Sequence, residues 1–177
     1  MATGKRSLPG LGLMGAAVVA LALIQAPQSS AADERSGDAG ALATSYVGDT
    51  CSYSDNKSCL YLHYNSYDPT YLRPRGACHM SSRTMTNHWG VVQGTEIVRY
   101  VFRTYNATSY CNYASGSGVA LVNDAASYFN DDCVRYQVYS GTSGQGGSHI
   151  LSSGSKGPLN SSVLNTNESH YRRGTCS

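Results

Sequence analysis

An all-β fold stapled by disulfides is the class this sequence predicts, and three observations carry the expectation. The 177 residues include 14 tyrosines against two phenylalanines and one tryptophan. Tyrosine suits a half-buried pleated surface, with its ring inside and its hydroxyl at the rim. Apolar residues come in short alternating or continuous runs, separated by Gly, Ser and Asn, which is the pattern of short strands joined by turns. The six cysteines are an even set that follows an export-type N-terminus, the usual setting for a disulfide framework.

The N-terminus sets the expected compartment. Lys5 and Arg6 form a basic start, residues 11–24 are apolar, and Ser29-Ser30-Ala31-Ala32 offers small residues for cleavage after Ala32. The apolar run is short for a membrane span, so residues 1–32 read as a signal peptide. Residues 33–50 are small and polar and read as a flexible leader. Residues 51–177 are the expected domain. Without Lys5 and Arg6 the chain carries 11 basic and 11 acidic residues. A neutral mature chain without basic blocks argues against nucleic acid or an anionic membrane as its partner.

Strands are expected in order from Cys51 onward. Leu60-Tyr-Leu-His-Tyr64 alternates, and Asn65-Ser66 with Asp68-Pro69 reads as the following turn. Residues 96–105 give the longest strand signal. Residues 119–122 form a short continuous apolar strand candidate. Val134-Arg-Tyr-Gln-Val-Tyr139 alternates, with Val134, Tyr136 and Val138 on one face. Residues 148–151, Val163-Leu164 and the region around Tyr171 complete the set. Residues 120–129 also admit a helix, but Asn123-Asp124 in mid-helix would compete for backbone hydrogen bonds, which favours strand then loop.

Cys51, Cys59, Cys78, Cys111, Cys133 and Cys176 are expected to form three disulfides, with 15 pairings open. There is no Cys-x-x-Cys to suggest a metal site. Four Asn-x-Ser/Thr sequons, at Asn56, Asn106, Asn160 and Asn167, would mark glycosylated loops only in a eukaryotic product.

One pattern occurs twice. Leu121-Val-Asn123-Asp124-Ala-Ala-Ser127 is echoed by Val163-Leu-Asn165-Thr166-Asn-Glu-Ser169, each after a strand and a Gly/Ser stretch. The repetition suggests two related β-motifs. Asn123, Asp124 and Ser127 present oxygen atoms of the kind Ca²⁺ accepts, and Asn165, Thr166 and Ser169 form a second, carboxylate-poor set. The same residue types also make turns without any metal.

These motifs carry a family resemblance. Together with Cys59-Leu-Tyr-Leu-His-Tyr64-Asn-Ser and Val138-Tyr139-Ser-Gly, the chain resembles the secreted βγ-crystallin-like proteins of actinomycetes, including bacterial peptidase inhibitors of the metalloproteinase-inhibitor type. The resemblance covers about residues 51–171 in pattern. It implies a Greek-key β-sandwich with Asn/Asp-rich calcium loops. Tyr128, Thr166 and His170 depart from the calcium-loop pattern.

Inhibition requires an exposed loop that loses little entropy on binding. Tyr67-Asp-Pro-Thr-Tyr-Leu72-Arg73-Pro-Arg75 is the best candidate, with Leu72, Arg73 and Arg75 as its contact residues. An ordinary long turn is the competing reading. An enzyme is a further alternative. Glu96, Arg99, Arg103 and His170 are residue types used by small secreted nucleases and other hydrolases, but regular pairing puts Glu96 on the face opposite Arg99 and Arg103. The five histidines are scattered, and neither Gly-x-Ser-x-Gly nor His-Glu-x-x-His occurs. The expectation is therefore a secreted, non-enzymatic, peptidase-inhibitor-like protein acting on an extracellular protease. A calcium-binding stress or surface protein is the alternative.

Overall fold

The fold is taken from a computed structural model, which describes residues 42–51, 59–105 and 110–176. The expected signal peptide and most of the leader lie outside these residues. So do Asn56 and Asn106. No α-helix occurs among the described residues; the one helical element is a single 3-10 turn at Thr142–Gly144.

Among the described residues, eleven strands form three sheets. They are β1 (Ala43–Val47), β2 (Asp49–Thr50), β3 (Leu60–Asp68), β4 (Arg73–Ser81), β5 (Val91–Gln93), β6 (Glu96–Tyr100), β7 (Ser127–Asn130), β8 (Arg135–Tyr139), β9 (Ser148–Leu151), β10 (Lys156–Pro158) and β11 (Ser169–Arg173). The largest sheet has the order β10-β7-β3-β4-β2, and the others are β11-β8-β9 and β1-β6-β5.

Two antiparallel hairpins organise the molecule, β3–β4 and β8–β9. Each takes a later strand on its first strand: β7 pairs with β3, and β11 pairs with β8. The halves then exchange outer segments. β10 follows the second hairpin in sequence but pairs with β7 of the first half. In return, Met85, just after β4, bridges His170 of β11 through two reciprocal backbone bonds of 2.8 Å. Sheet β1-β6-β5 belongs to the long connection between Met85 and β7, apart from β1, which enters from the N-terminal side.

Side-chain alternation explains the layering. Leu60 and Leu62 of β3 enter the main core with Ala77, Phe102, Leu121, Tyr136, Val138 and Leu151. Tyr61 points the other way, into a smaller cluster with Met80, Phe129 and the cysteines 51, 59, 78 and 111. Strand β3 is thus covered on both faces, which is why its first four residues are all buried. The disulfides pair sequential cysteines: Cys51–Cys59, Cys78–Cys111 and Cys133–Cys176. The first two staple the smaller cluster, where apolar area alone is modest.

Several expected boundaries shift. Strand β3 runs through Asn65-Ser66 to Asp68, because register shifts absorb these residues and move the turn to residues 69–72. The strand expected over 96–105 ends at Tyr100, and Val101 and Arg103 make only isolated bridges to Ala120 and Cys78. Residues 119–122 are likewise not a strand, since Ala120 pairs alone. Strand β7 at Ser127–Asn130 lies where the sequence was read as loop. β1 and β2 lie inside the span assigned to the leader: backbone pairing with β6 and β4 orders residues that bury little side-chain area of their own.

Two glycines mark where the backbone comes too close for any side chain. Gly90 has φ +134°, and a Cβ there would lie 2.1 Å from the Val98 carbonyl oxygen. Gly116, at φ +86°, lies against the Tyr64 ring.

Candidate functional site

The repeated Asn-containing loops meet in space. Asn123 (φ +63°) and Asn165 (φ +52°) both adopt the left-handed conformation that Asn tolerates better than most residues. Each loop then delivers a buried serine to the start of a strand. The Ser127 hydroxyl donates to the Asn65 carbonyl at 2.5 Å, and the Ser169 hydroxyl donates to the Gly141 carbonyl at 2.6 Å. Ser169 Oγ also accepts from the Gly144 amide. The two serines therefore tie each later strand to its own hairpin.

Between the loops, Asn167 acts as a hub. The Ala125 amide donates to its Oδ1 at 2.8 Å, which fixes the amide orientation. Asn167 Nδ2 then donates to the Leu121 carbonyl and to His88 Nδ1. With Nδ1 accepting, His88 carries its proton on Nε2 and donates to His170 Nδ1 at 2.8 Å. His170 in turn donates from Nε2 to the Arg83 carbonyl and the Ser81 hydroxyl. Asn167, His88, His170 and Ser81 are all completely buried. Both imidazoles are neutral, and an added proton would set one N–H against another donor. Burial pushes His170 down to about 3 and His88 well below its ordinary value.

This line of residues closes one catalytic option. His170 sits in the core and does not join Glu96, Arg99 and Arg103 on a surface. The Arg99 guanidinium stacks on Trp89, and Arg103 Nη2 donates to the Tyr46 carbonyl. His63 and His79 are also fully buried, lowered by desolvation to about 3 and about 4. The sequon at Asn167 is inaccessible to a glycosyltransferase in the folded chain.

The expected calcium ligands divide into three groups. Asp124 and Asn165 line one surface cleft of about 270 Å³ with Tyr64, Asn65, Ser66 and Ala126. Asn123 and Thr166 are exposed. Ser127 and Ser169 are buried, with their hydroxyl hydrogens committed to carbonyls of the hairpins. Asp124 supplies the one carboxylate among the cleft's lining residues. A second acidic grouping, Asp132 with Cys133 and Cys176, offers no thiolates because the two cysteines are bonded to each other.

The proposed inhibitory residues occupy the tip of hairpin β3–β4. Asp68 Oδ1 accepts from the amides of Thr70 and Tyr71, closing the turn. Leu72 has φ +48° and is 61% exposed, and Tyr71 beside it is 62% exposed. Arg73 and Arg75 are only half exposed. Both guanidinium groups lie over the rings of Tyr71 and Tyr113. Arg73 also donates to the Tyr113 hydroxyl at 2.6 Å, and Arg75 pairs with Asp68 at 2.8 Å. The arginines brace the tip, and Tyr71 and Leu72 are what it presents. Tyr113 is the part that sequence reading missed, since it comes from a distant loop.

No family model, curated protein or solved structure matches this chain.

Proposed function

We propose that this is a secreted, non-enzymatic, βγ-crystallin-like protein that binds an extracellular protease through the tip of its β3–β4 hairpin. The exchange of outer segments between two hairpin halves, each locked by a buried serine, supports the crystallin-like Greek-key reading. Three disulfides support an oxidising, extracellular setting. No helix among the described residues is long and apolar enough to cross a membrane.

The exposed Tyr71-Leu72 pair carries the inhibitory reading. Two apolar side chains stand in solvent on a turn already closed by Asp68 and braced by four arginine–aromatic contacts. Ordering the tip before binding lowers the entropy lost in the complex. A left-handed residue at Leu72 does not resemble an extended substrate, so the tip acts as an apolar plug in a protease cleft and resists cleavage. The test is inhibition of secreted metalloproteases and serine proteases by the mature chain and by Tyr71→Ala/Leu72→Ala. Inhibition that disappears in the variant is expected. Inhibition by the variant equal to wild type removes the tip from the mechanism.

A calcium-binding role is the second reading, supported by Asp124 and Asn165 facing one cleft. Their oxygens, with those of Asn65 and Ser66, suit a hard cation. A single carboxylate predicts weak affinity. Calorimetric titration with Ca²⁺, repeated on Asp124→Ala, decides it: no heat in wild type sinks the reading.

A further inference from the structure

We propose that the cleft at the open end of sheet β11-β8-β9 is a binding site for a tetrahedral oxyanion, sulfate or phosphate, free or carried as an ester on a sugar. The cleft has a volume of about 700 Å³ and is lined by Cys133, Arg135, Ser152, Ser153, Arg172 and Arg173 with their backbone neighbours. Three of these residues are arginines, and no acidic residue is among the lining set. Sequence distance hides the cluster, because Arg135 comes from β8 while Arg172 and Arg173 come from β11.

Register places Arg135 directly opposite Arg173 across the antiparallel pair β8–β11. Like charges in that relation destabilise a sheet. Neither charge is neutralised. The Arg135 side chain has no hydrogen-bond or ion-pair partner among the described residues. Arg173 donates to the Tyr139 hydroxyl at 2.9 Å and lies over the Tyr171 ring, both uncharged. Two uncompensated cations at facing positions of one sheet are what an anion site requires, since an oxyanion that draws Arg173 from the Tyr139 hydroxyl converts the repulsion into two charge-assisted bonds.

The third arginine, Arg172, leaves the other face of β11 and reaches the cleft at its edge. Arg172 donates from Nε to Asp132 Oδ2 at 2.9 Å and from Nη2 to Oδ1 at 3.2 Å, and Asp132 is buried. Tyr136 donates its hydroxyl to Asp132 Oδ2 at 2.9 Å. This pairing uses one edge of the guanidinium and holds it rigid. Arg172 Nη1 has only a long contact to the Gly174 carbonyl, 3.4 Å, and remains able to donate. The Cys133–Cys176 disulfide ties the segment after β11 to the start of β8 beside it. The Ser152 and Ser153 residues rim the opposite side.

Titration calorimetry of the mature protein at pH 7.5 and constant ionic strength, with inorganic sulfate, inorganic phosphate and a sulfated disaccharide, tests the site. Saturable one-to-one binding of at least one probe is expected. Arg135→Gln and Arg173→Gln should each weaken it by about tenfold or more, the loss of one hydrogen bond to a charged group. Arg135→Gln should also raise the melting temperature in chloride, because it removes the cross-strand repulsion; this readout shows that the variant folds. Tighter binding of the disaccharide than of either inorganic ion assigns a sulfated glycan as the source, and preference for phosphate assigns the free ion or a phosphate ester. Absence of saturable binding by all three probes overturns the proposal. So does binding that Arg135→Gln and Arg173→Gln leave unchanged.

Discussion

Lowering the pH from 7 to 4.5 should unfold this protein, and four histidines set the slope. His63, His79, His88 and His170 are fully buried, and desolvation is the largest cause of depression in each. In the unfolded chain they take up protons near the ordinary value of 6.5, whereas in the fold His63 and His170 wait until about 3 and His79 until about 4. Their contribution is fully present above about pH 6.5 and is lost as pH falls toward the folded values. Each group erodes about 1.4 kcal/mol per pH unit inside that window. Four together would remove about 5 kcal/mol over one unit, the low end of a whole domain's stability. Asp49 and Asp131, raised by burial, act in the opposite sense. Urea unfolding followed by intrinsic fluorescence across the range gives the slope, and hence the protons taken up. The cleanest variant is His63→Phe, because the His63 ring has no side-chain hydrogen-bond partner and at most a weak backbone contact with Gly76. It should leave stability at pH 7.5 unchanged or raised and reduce the uptake by about one proton. A stability that stays flat between pH 7 and 5 would show that the four histidines do not titrate differently in the folded and unfolded chain.

Other perturbations probe the scaffold. Asn167→Ala removes the side-chain bonds to Ala125, Leu121 and His88; thermal unfolding should show a loss of about 2–4 kcal/mol, the range for breaking a buried network. Gly90→Ala would drive a Cβ into the Val98 carbonyl at a positive φ, so expression and melting temperature should both fall, by about 2 kcal/mol or more in stability. Replacing Cys78 and Cys111 by alanine opens a 33-residue separation in the buried cluster and should destabilise by about 3–4 kcal/mol. Removing Cys51–Cys59, which closes a separation of 8, should cost less, about 2–3 kcal/mol; comparison of denaturant midpoints tests the order.

The strands that alternate were legible in the sequence. Tyr136 and Val138 are buried on one face of β8, and β9 occupies the residues where it was expected. The doubled loop was legible as well: Asn123 and Asn165 share a backbone conformation, and Ser127 and Ser169 share a bonding role. Pairing that depends on the backbone alone was not legible. β1 and β2 bury little, and β7 follows a turn that no local signal separates from it. Exchange of β10 and Met85 between halves is a tertiary event, invisible to periodicity. The candidate site divides in the same way. A loop rich in Pro, Tyr and Arg pointed to the hairpin tip, but only the fold brings Tyr113 to the arginines and turns them from contact residues into braces. Histidines scattered in sequence gave no hint that His88 and His170 meet in the core.

The braced hairpin tip is proposed to stop a protease without being cleaved. Incubating the mature chain with a secreted metalloprotease at equal concentrations, followed by size exclusion and mass analysis, tests it most directly. A one-to-one complex containing the intact chain and an inactive enzyme is the result predicted. Free, fully active protease beside an intact or nicked chain, across metalloproteases and serine proteases alike, would contradict it.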